Sequence, residues 1–496
     1  MSGKKMATLL VTFGLPFFMH GVRAQERPKT PDTGQMNGMQ MPAAQQNQHE
    51  QMQMAPWKAE FPRMRRAQED SQTPLVTLEQ LQKMASENNP TLRQAEAEIR
   101  AVKARREQAG YYPNPTVGYT GDEIRGGSVG GGKQGFFVQQ TIVTGGKLGL
   151  SGKVFGQEAK LAEIEAEEQK TRVESAVQIA FLRVLAAQEL LDARRDISRI
   201  AQDNVETQRR LMNTGQTDQT EFLDAQVEAQ RMRMSTRMQE NTLREEWRSL
   251  AAVVGMPDMP LTTVAGDLES NWPELNEEQV VETIAKESPA VRIAEAAANR
   301  AQSVLARAER EPIPDIQIRA GMEYNHERLD TVPFAKGWEG LAEASVEIPI
   351  FNRNQGNISA ARADIERAQL EKTRIGLTLR ERAATAVDQY ANARLMATEY
   401  RDEMLPLAKK SYSLMAEKYG QMLASYPRVL DAQRKLFELQ IEYISALEGV
   451  WTNGIALQRF LLTDGLEGPA RPTEVDRPIR ETNVPMAERT PGVRQP

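Results

Sequence analysis

The chain has 496 residues, a formal net charge of −6 and no cysteine. Its length predicts two or more units rather than one compact core. Charged residues make up 26 % and aromatic residues only 6 % of the chain, a composition that suits long solvated helices. Without Cys there are no disulfides or thiolate metal sites, and the acidic balance gives no indication of nucleic-acid binding.

The first 24 residues are typical of a secretory signal peptide. Lys4 and Lys5 form a basic start, residues 7–19 are mostly apolar, and residues 22–24 (Val-Arg-Ala) offer small side chains at the cleavage position. The apolar run is too short to favour the alternative, a membrane anchor. No Cys follows the leader, so we expect no lipid anchor.

Residues 25–74 are rich in Gln, Pro and Met without periodicity, which predicts a disordered tether. Methionine has no core to fill there, so the thioethers and one imidazole form a candidate metal site that favours Cu(I) or Ag(I). A low-complexity linker without metal is an equally good interpretation. The candidate ligands are Met36, Met39, Met41, His49, Met52 and Met54.

The first repeat, residues 75–257, opens with a helix and two strands. Thr77, with Gln80 three residues later, predicts a capping box, and the helix is interrupted at Asn89-Pro90. Strands are predicted at about 115–122 and 135–143, with a glycine-rich loop between them. Phe136, Val138 and Ile142 share one face of the second strand.

Two long helices follow and form a hairpin. The first is predicted from about Lys147 to Met212, roughly 100 Å at about 1.5 Å per residue, and the second from Glu221 to about Val254. Apolar residues in the first helix recur at alternating steps of four and three, which is typical of a coiled-coil seam. The seam residues are Val173, Val177, Ala180, Val184, Ala187 and Leu191.

After a linker at residues 258–275 the same plan recurs in residues 276–465. Prolines at 289, 312 and 314 lie 199 residues after those at 90, 113 and 115. Strands are predicted at about 315–325 and 340–350, the latter with Ala342, Ala344, Val346, Ile348 and Ile350 on its apolar face. A long helix from about Asn354 to Lys418 is expected to kink at Pro406, and a return helix runs from Val429 to about Leu462. Residues 466–496 are predicted to be disordered.

The two hairpin tips, about 212–220 and 419–428, share a motif. Gly215-Gln216 and Gly420-Gln421 each precede Leu-Asp-Ala-Gln, at 223–226 and 430–433. Both glycines stand where a helix C-cap requires positive φ, and polar residues or proline then restart a helix. Capping and turn formation alone would explain these residues.

The strands are of a length that crosses an outer membrane at a tilt, with one apolar and one polar face. Four strands cannot close a barrel, and open edges are not tolerated in lipid. The chain must therefore combine its strands with those of other copies. Two copies would leave no usable pore, whereas three copies give twelve strands around a lumen.

The duplicated plan resembles the TolC-type outer-membrane efflux channel family over about residues 75–465. The resemblance implies a mainly α fold with a transmembrane β section: a homotrimer with a 12-stranded barrel continued by a 12-helix coiled-coil tunnel. It implies an exit duct that passively conducts substrates handed over by an inner-membrane pump and a periplasmic adaptor (membrane fusion protein). The heavy-metal branch of the family exports copper, silver, cobalt, zinc or cadmium. The motifs are Tyr111–Pro115, Glu311–Pro314, Met404–Ala408, Tyr419-Gly420 and Leu430–Arg434.

The resemblance also implies that the tips dock the adaptor, and that Asp218, Asp224 and Asp431 could form acidic rings at the entrance. No catalytic motif is found, so we expect neither an enzyme nor a cofactor. The alternative is a periplasmic coiled-coil adaptor or structural rod, which would carry one hairpin rather than two. The candidate docking residues are Gly215, Gln216, Leu223, Asp224, Gly420, Gln421, Leu430 and Asp431.

Overall fold

A computed structural model describes residues 75–122, 124, 132–326, 337–421 and 423–467. All of them belong to one unit of the chain, residues 58–496. The predicted signal peptide, the tether with its candidate metal ligands, and the tail beyond residue 467 lie outside the described residues.

Helices dominate the fold, and the order of elements in the first half recurs in the second. The first half contains α1 (Leu78–Asn88), α2 (Pro90–Gly110), β1 (Thr116–Asp122), β2 (Lys133–Ile142), α3 (Lys147–Asn213) and α4 (Gln219–Val254). The second half contains α5 (Glu277–Glu287), α6 (Pro289–Ala308), β3 (Ile316–Asn325), β4 (Gly337–Val346), α7 (Gln355–Glu399), a π-helix (Tyr400–Met404), α8 (Leu405–Gly420) and α9 (Tyr426–Gln458).

Side-chain caps define the short helices that precede the strands. The predicted capping box is confirmed: the Gln80 N–H donates to Thr77 Oγ1, and the Thr77 N–H donates to Gln80 Oε1. Asn89 accepts a hydrogen bond from the Thr91 N–H at 2.9 Å, and Pro90 begins the next helix, where its missing N–H costs nothing. The second half uses Ser288 and a proline in the same way.

The helix α3, 67 residues long, is the element on which the others pack. All six residues of its predicted seam are buried. Between Ala176 and Ala187 the helix is buried on nearly every side, because this segment belongs to a core that also contains buried residues of α1, α4 and α9. Small side chains such as Ala180 and Ala186 allow this close approach.

The second long helix is interrupted near the proline that predicts a kink. α7 ends at Glu399 and the next five residues form the π-helix, in which the Leu405 N–H donates to the Tyr400 carbonyl. Pro406 lacks an N–H, and its ring would clash with the carbonyl four residues earlier. A π-turn inserts one extra residue and relieves that conflict without ending the helix.

The four strands form one antiparallel sheet in the order β1-β2-β3-β4. β4 ends at Val346, so the predicted continuation of its apolar face to Ile348 and Ile350 is wrong. Ile316, the first residue of β3, already pairs with Val346, and Pro349 could not donate to a ladder.

Residues 258–275 are packed across the helices rather than forming a free connection, and we call them the strap. Val264 bridges to Val76, and Leu268 is fully buried. The Trp272 and Trp451 indole N–H groups both donate to the Leu268 carbonyl, at 3.1 and 2.9 Å. Aromatic donors thus satisfy backbone groups of the strap that no strand partner satisfies.

In the part of the chain that the structure describes, no helix is both long enough and apolar enough to cross a membrane.

A group of carboxylates lies where the strap contacts α3. Burial, and after it the nearby carboxylates of Glu269, Asp267 and Asp192, together raise the pKa of Glu189 from 4.5 to about 7. Glu269 accepts a hydrogen bond from the buried Tyr443 hydroxyl at 3.0 Å. The folded state therefore favours the protonated form of Glu189.

This shift predicts that the protein becomes less stable as the pH rises from about 5 to 8. The folded state holds the Glu189 proton up to about pH 7 and the unfolded state releases it near pH 4.5, so the contribution is complete below 4.5 and is lost through 7. The loss is at most about 3 kcal/mol. Thermal unfolding in detergent, followed by helical circular dichroism, should show a flatter pH profile for Glu189→Gln.

Asp192→Asn is the matched control, because Asp192 is an exposed member of the same group. It should retain most of the wild-type slope. Equal slopes for wild type and Glu189→Gln would contradict the assignment.

Candidate functional site

The first hairpin tip is closed by a Schellman motif. Gly215 has φ +72°, the Gln216 N–H donates to the Leu211 carbonyl at 2.9 Å, and the Gly215 N–H donates to the Met212 carbonyl at 3.1 Å. Asp218 then caps α4 by accepting from the Glu221 N–H at 2.9 Å. The positive φ predicted for Gly215 is confirmed.

The second tip differs, and the prediction of a left-handed cap at Gly420 is wrong. Gly420 is the last helical residue of α8 and does not have positive φ. The bond that closes this turn runs from the Leu423 N–H to the Lys418 carbonyl at 2.8 Å. It corresponds to the bond between Gln216 and Leu211, so Gly420 occupies the position of Asn213 and not that of Gly215. The Gly-Gln pairs of the two tips therefore share a sequence but do not occupy equivalent positions in the two turns.

The predicted tip residues are mostly exposed, and they differ in whether their side chains make contacts within the chain. Asp218 serves its own helix as the N-cap, whereas Asp224 and Asp431 are exposed one turn or more into α4 and α9. Leu223 is an exposed apolar side chain, and Leu430 is half-buried in a groove between the hairpins. The other four, Gly215, Gln216, Gly420 and Gln421, are exposed.

An ion pair joins the two hairpins close to their tips. Arg434 of α9 donates to both carboxylate oxygens of Glu228 on α4, at 2.6 and 3.0 Å. The Glu228 side chain is only 9 % exposed, so it is held largely out of water. Bidentate geometry of this kind gives directional strength that a surface pair lacks.

The ion pair lines a groove of about 330 Å³ between α3, α4 and α9. Arg194 of α3 reaches into it and donates to Ser235 of α4. No sequence pattern indicated a role for Glu228. Arg434 was identified only as the last residue of the motif Leu430–Arg434, without a partner. No local pattern pairs two residues 206 positions apart.

The two faces of the sheet differ in polarity, and the apolar face is exposed. On one face the strand register brings together exposed side chains, among them Val117, Phe136, Met322 and Trp338. The opposite face carries the charges. The charged side chains on that face include Lys133, Arg319, Glu323, Glu339 and Glu343.

Charges on the polar face are paired across strands. Lys133 contacts Glu339 at 2.7 Å and Glu323 at 3.8 Å, and Asn325 donates to Glu339 at 2.9 Å. The Arg319 guanidinium lies 4.0 Å from the centre of the Phe137 ring. This arrangement is the reverse of a soluble sheet, whose apolar face would be covered.

Among the described residues, no three His, Asp or Glu side chains gather in a way that could hold a metal ion. The Met and His candidates of the tether lie outside them.

The chain matches the family model described as outer membrane efflux protein over residues 81–256 and 280–461, one segment on each side of the strap. The match covers well over half of the chain. The chain therefore belongs to the outer membrane efflux protein family.

Individual relatives agree with this assignment. The chain is 23 % identical over 386 residues to the cobalt-zinc-cadmium resistance protein CzcC of Cupriavidus metallidurans, covering 78 % of this chain and 90 % of that protein. It is 24 % identical over 313 residues to the nickel-cobalt-cadmium resistance protein NccC of Alcaligenes xylosoxydans xylosoxydans, covering 61 % and 67 %. The crystal structure of CusC superimposes with a TM-score of 0.64 at 18 % identity, covering 78 % of this chain and 92 % of that one, which shows a shared fold.

The two tip glycines should respond differently to substitution. Gly215→Val places a β-branched residue at positive φ and should destabilise the turn by about 1 kcal/mol or more. Gly420→Val should have little local effect, because Gly420 is helical and no atom lies within 4 Å of the added Cβ. Amide hydrogen exchange of tip peptides should accelerate about fivefold around Gln216 only. Similar acceleration at both tips would contradict the register described above.

Proposed function

We propose that the chain is the outer-membrane exit duct of a tripartite efflux pump. It passively conducts substrates that an inner-membrane pump and a periplasmic adaptor hand over. The observation that carries the proposal is the sheet whose exposed face is apolar and whose opposite face is charged. Lipid on one side and a water-filled lumen on the other satisfy both faces.

A single copy cannot complete this arrangement. β1 and β4 are the edges of the sheet, and unpaired edge groups are costly in lipid. Three copies would supply twelve strands and close a barrel with a lumen. The long hairpins continue away from the sheet, and α3 alone would span roughly 100 Å at 1.5 Å per residue. Helices of that length support a tunnel that crosses the periplasm.

The hairpin tips are proposed as the adaptor-docking end. They are exposed, and Leu223 and Leu423 offer apolar contacts there. Asp224 and Asp431 add exposed carboxylates that can favour cations at the entrance. The Glu228–Arg434 ion pair would hold the hairpins together while the duct is at rest. The rival, a periplasmic adaptor or rod, gives no reason for an apolar sheet face that is left exposed.

Deleting the gene should sensitise the host to exported substrates, and the full-length chain should restore resistance. The protein should fractionate with the outer membrane and have the native mass of three copies in detergent. Asp431→Lys should reduce resistance several-fold while the trimer yield stays unchanged, since the Asp431 side chain is exposed on α9. A water-soluble monomer would refute the proposal, and full resistance with Asp431→Lys would remove Asp431 from the docking surface.

Heavy-metal ions are the proposed cargo. The relatives CzcC and NccC are named for resistance to cobalt, zinc, cadmium and nickel. The candidate metal site of the tether instead consists of five of its methionines and one histidine, ligands that favour Cu(I) or Ag(I). The names of the relatives and the ligands of the tether thus point to different ions. The tether would bind metal ions outside the channel rather than line the channel.

Metal resistance in the complemented deletion strain should separate the two indications. If the tether binds Cu(I), changing Met36, Met39, Met41, Met52 and Met54 to Leu should lower copper and silver resistance and leave cobalt, zinc and cadmium resistance unchanged. Leu matches Met in volume and hydrophobicity but lacks the thioether, so the substitution removes the metal ligands and changes little else. Unchanged copper and silver resistance would eliminate the tether as a metal site and leave the duct proposal intact.

A further inference from the structure

The end of the sheet that lies furthest from the helices carries a group of charged side chains. The helices α2, α3, α6 and α7 attach to one end of the four strands. At the other end β2 begins with Lys133, β3 ends with Asn325 and β4 begins with Gly337. In the proposed duct the helices cross the periplasm, so this end of the sheet would form the outer mouth of the barrel, where cargo leaves.

Two glutamates stand directly opposite each other at this end of the sheet. Glu323 of β3 pairs with Glu339 of β4 in the strand register, on the charged face. The Cβ atoms of such a cross-strand pair are about 5 Å apart, and like charges at that spacing repel each other. Two ionised carboxylates in this position therefore need a cation between them.

The Lys133 ammonium supplies that cation. Its nitrogen lies 2.7 Å from Oε2 of Glu339 and 3.8 Å from Oε1 of Glu323. Asn325 donates its amide N–H to the other oxygen of Glu339 at 2.9 Å. Asp122 of β1 is opposite Lys133 in the register and is exposed, so it adds negative charge beside the group. The Glu323 side chain is only 15 % exposed, so salt in the solvent screens its charge weakly.

A glycine on β2 allows the strands to approach closely beside this lysine. Gly135 is paired with Glu323 in the register of β2 and β3. A Cβ added to Gly135 would lie 2.5 Å from the Glu323 Cα, so only glycine fits there. Lys133 is two residues earlier on the same face of β2, next to the two glutamates.

A second cation on the charged face has a different environment. Arg319 of β3 is paired with Gln139 on one side and with Glu343 on the other, and its guanidinium lies 3.9 Å from the Glu343 carboxylate. Arg319 therefore balances one carboxylate, and its removal would not leave two acids facing each other. Lys133 differs from Arg319 because it holds two opposed carboxylates.

Without the ammonium, the opposed carboxylates would form a binding site for a divalent cation. Two carboxylates at this spacing can share one ion, and the Asn325 amide can add an oxygen ligand. In the native chain the lysine occupies that position. The described part of the chain also has no group of three His, Asp or Glu side chains that could hold a metal ion. The acids can therefore attract a passing cation without binding it tightly.

We propose that Lys133 is a specificity-determining residue of the duct, a tethered counter-ion that keeps the outer mouth from retaining divalent cations. The carboxylates favour cations in the lumen, and the lysine prevents one ion from bridging Glu323 and Glu339. A conducting pore must bind its cargo weakly enough to release it. This proposal rests on the proposed outer-membrane duct and assigns the release of cations to its outer end.

Block of the channel by Co²⁺ in planar lipid bilayers tests this role. Wild-type, full-length trimers should conduct K⁺ and resist Co²⁺ added on the side of the outer mouth. Lys133→Gln should be blocked at a Co²⁺ concentration about tenfold lower, because a positive charge next to both carboxylates is lost. Equilibrium dialysis of the purified proteins with Co²⁺ should show an additional site in each chain of Lys133→Gln.

Arg319→Gln is the matched control. It removes one positive charge from the same face of the same sheet but leaves a single carboxylate, so its response to Co²⁺ should equal that of the wild type. Lys133→Arg keeps the cation and should also behave like the wild type. Adding Glu339→Gln to Lys133→Gln removes one of the two acids and should abolish both the block and the additional site.

The outcomes separate this inference from the proposed duct. Conducting Lys133→Gln trimers with the Co²⁺ response of Arg319→Gln and no additional site would overturn the role of Lys133 alone. A wild type that forms no trimer and no channel would instead refute the duct. If Lys133→Gln assembles poorly, Co²⁺ should restore the trimer by binding the folded form, and a failure of that rescue would also overturn the inference.

Discussion

The constraint on which this structure depends is that one copy leaves its β-sheet open. Among the described residues, the outward-facing backbone groups of β1 and β4 have no strand partner, while one exposed face of the sheet is apolar. An open, apolar sheet is unstable in water and an open edge is unstable in lipid, so neither environment suits one copy alone. The helices repeat the problem, since α4 and α8 each carry exposed apolar side chains, among them Met234 and Leu407.

Within one copy, α3 is what keeps the open arrangement rigid. It contacts helices of both halves of the chain along its length. The strap adds a second tie, because its buried Leu268 and the tryptophans that bond its carbonyl connect the first half to α9. The chain segment after α9 adds a third, where Ser175 donates to the Leu462 carbonyl and Arg172 pairs with Glu467. These ties bury polar backbone groups with partners, as a closed core would.

Sequence reasoning succeeded where a pattern is long and local. The seam of α3, the strand predicted at about 315–325, the capping box at Thr77 and the helix interruption at Asn89-Pro90 all depend on neighbours within a turn or a strand, and the structure contains them. It failed where the decisive contact is distant. Gly420 and Gly215 are both followed by Gln, but the second turn is closed by the hydrogen bond from Leu423 to Lys418. Alignment of the motifs therefore assigned the left-handed cap wrongly in the second tip. The packing of the strap could not be predicted locally, because side chains from distant parts of the chain, such as Trp451, bond its backbone. The Glu228–Arg434 pair likewise joins residues 206 positions apart.

The two halves share a plan, and they differ most in how firmly the tips are held. The first tip has a left-handed glycine and the Asp218 side-chain cap, and α3 reaches it as an unbroken helix. The second tip has no side-chain cap at Ser425, and the helix that leads to it is interrupted by an exposed π-helix. Beyond that interruption only Leu405 and Tyr412 of α8 are buried. Few buried contacts and an exposed backbone irregularity place α8 at the low end of local stability. The second hairpin therefore has one weakly held arm, whereas both arms of the first hairpin are continuous helices that end in a capped turn.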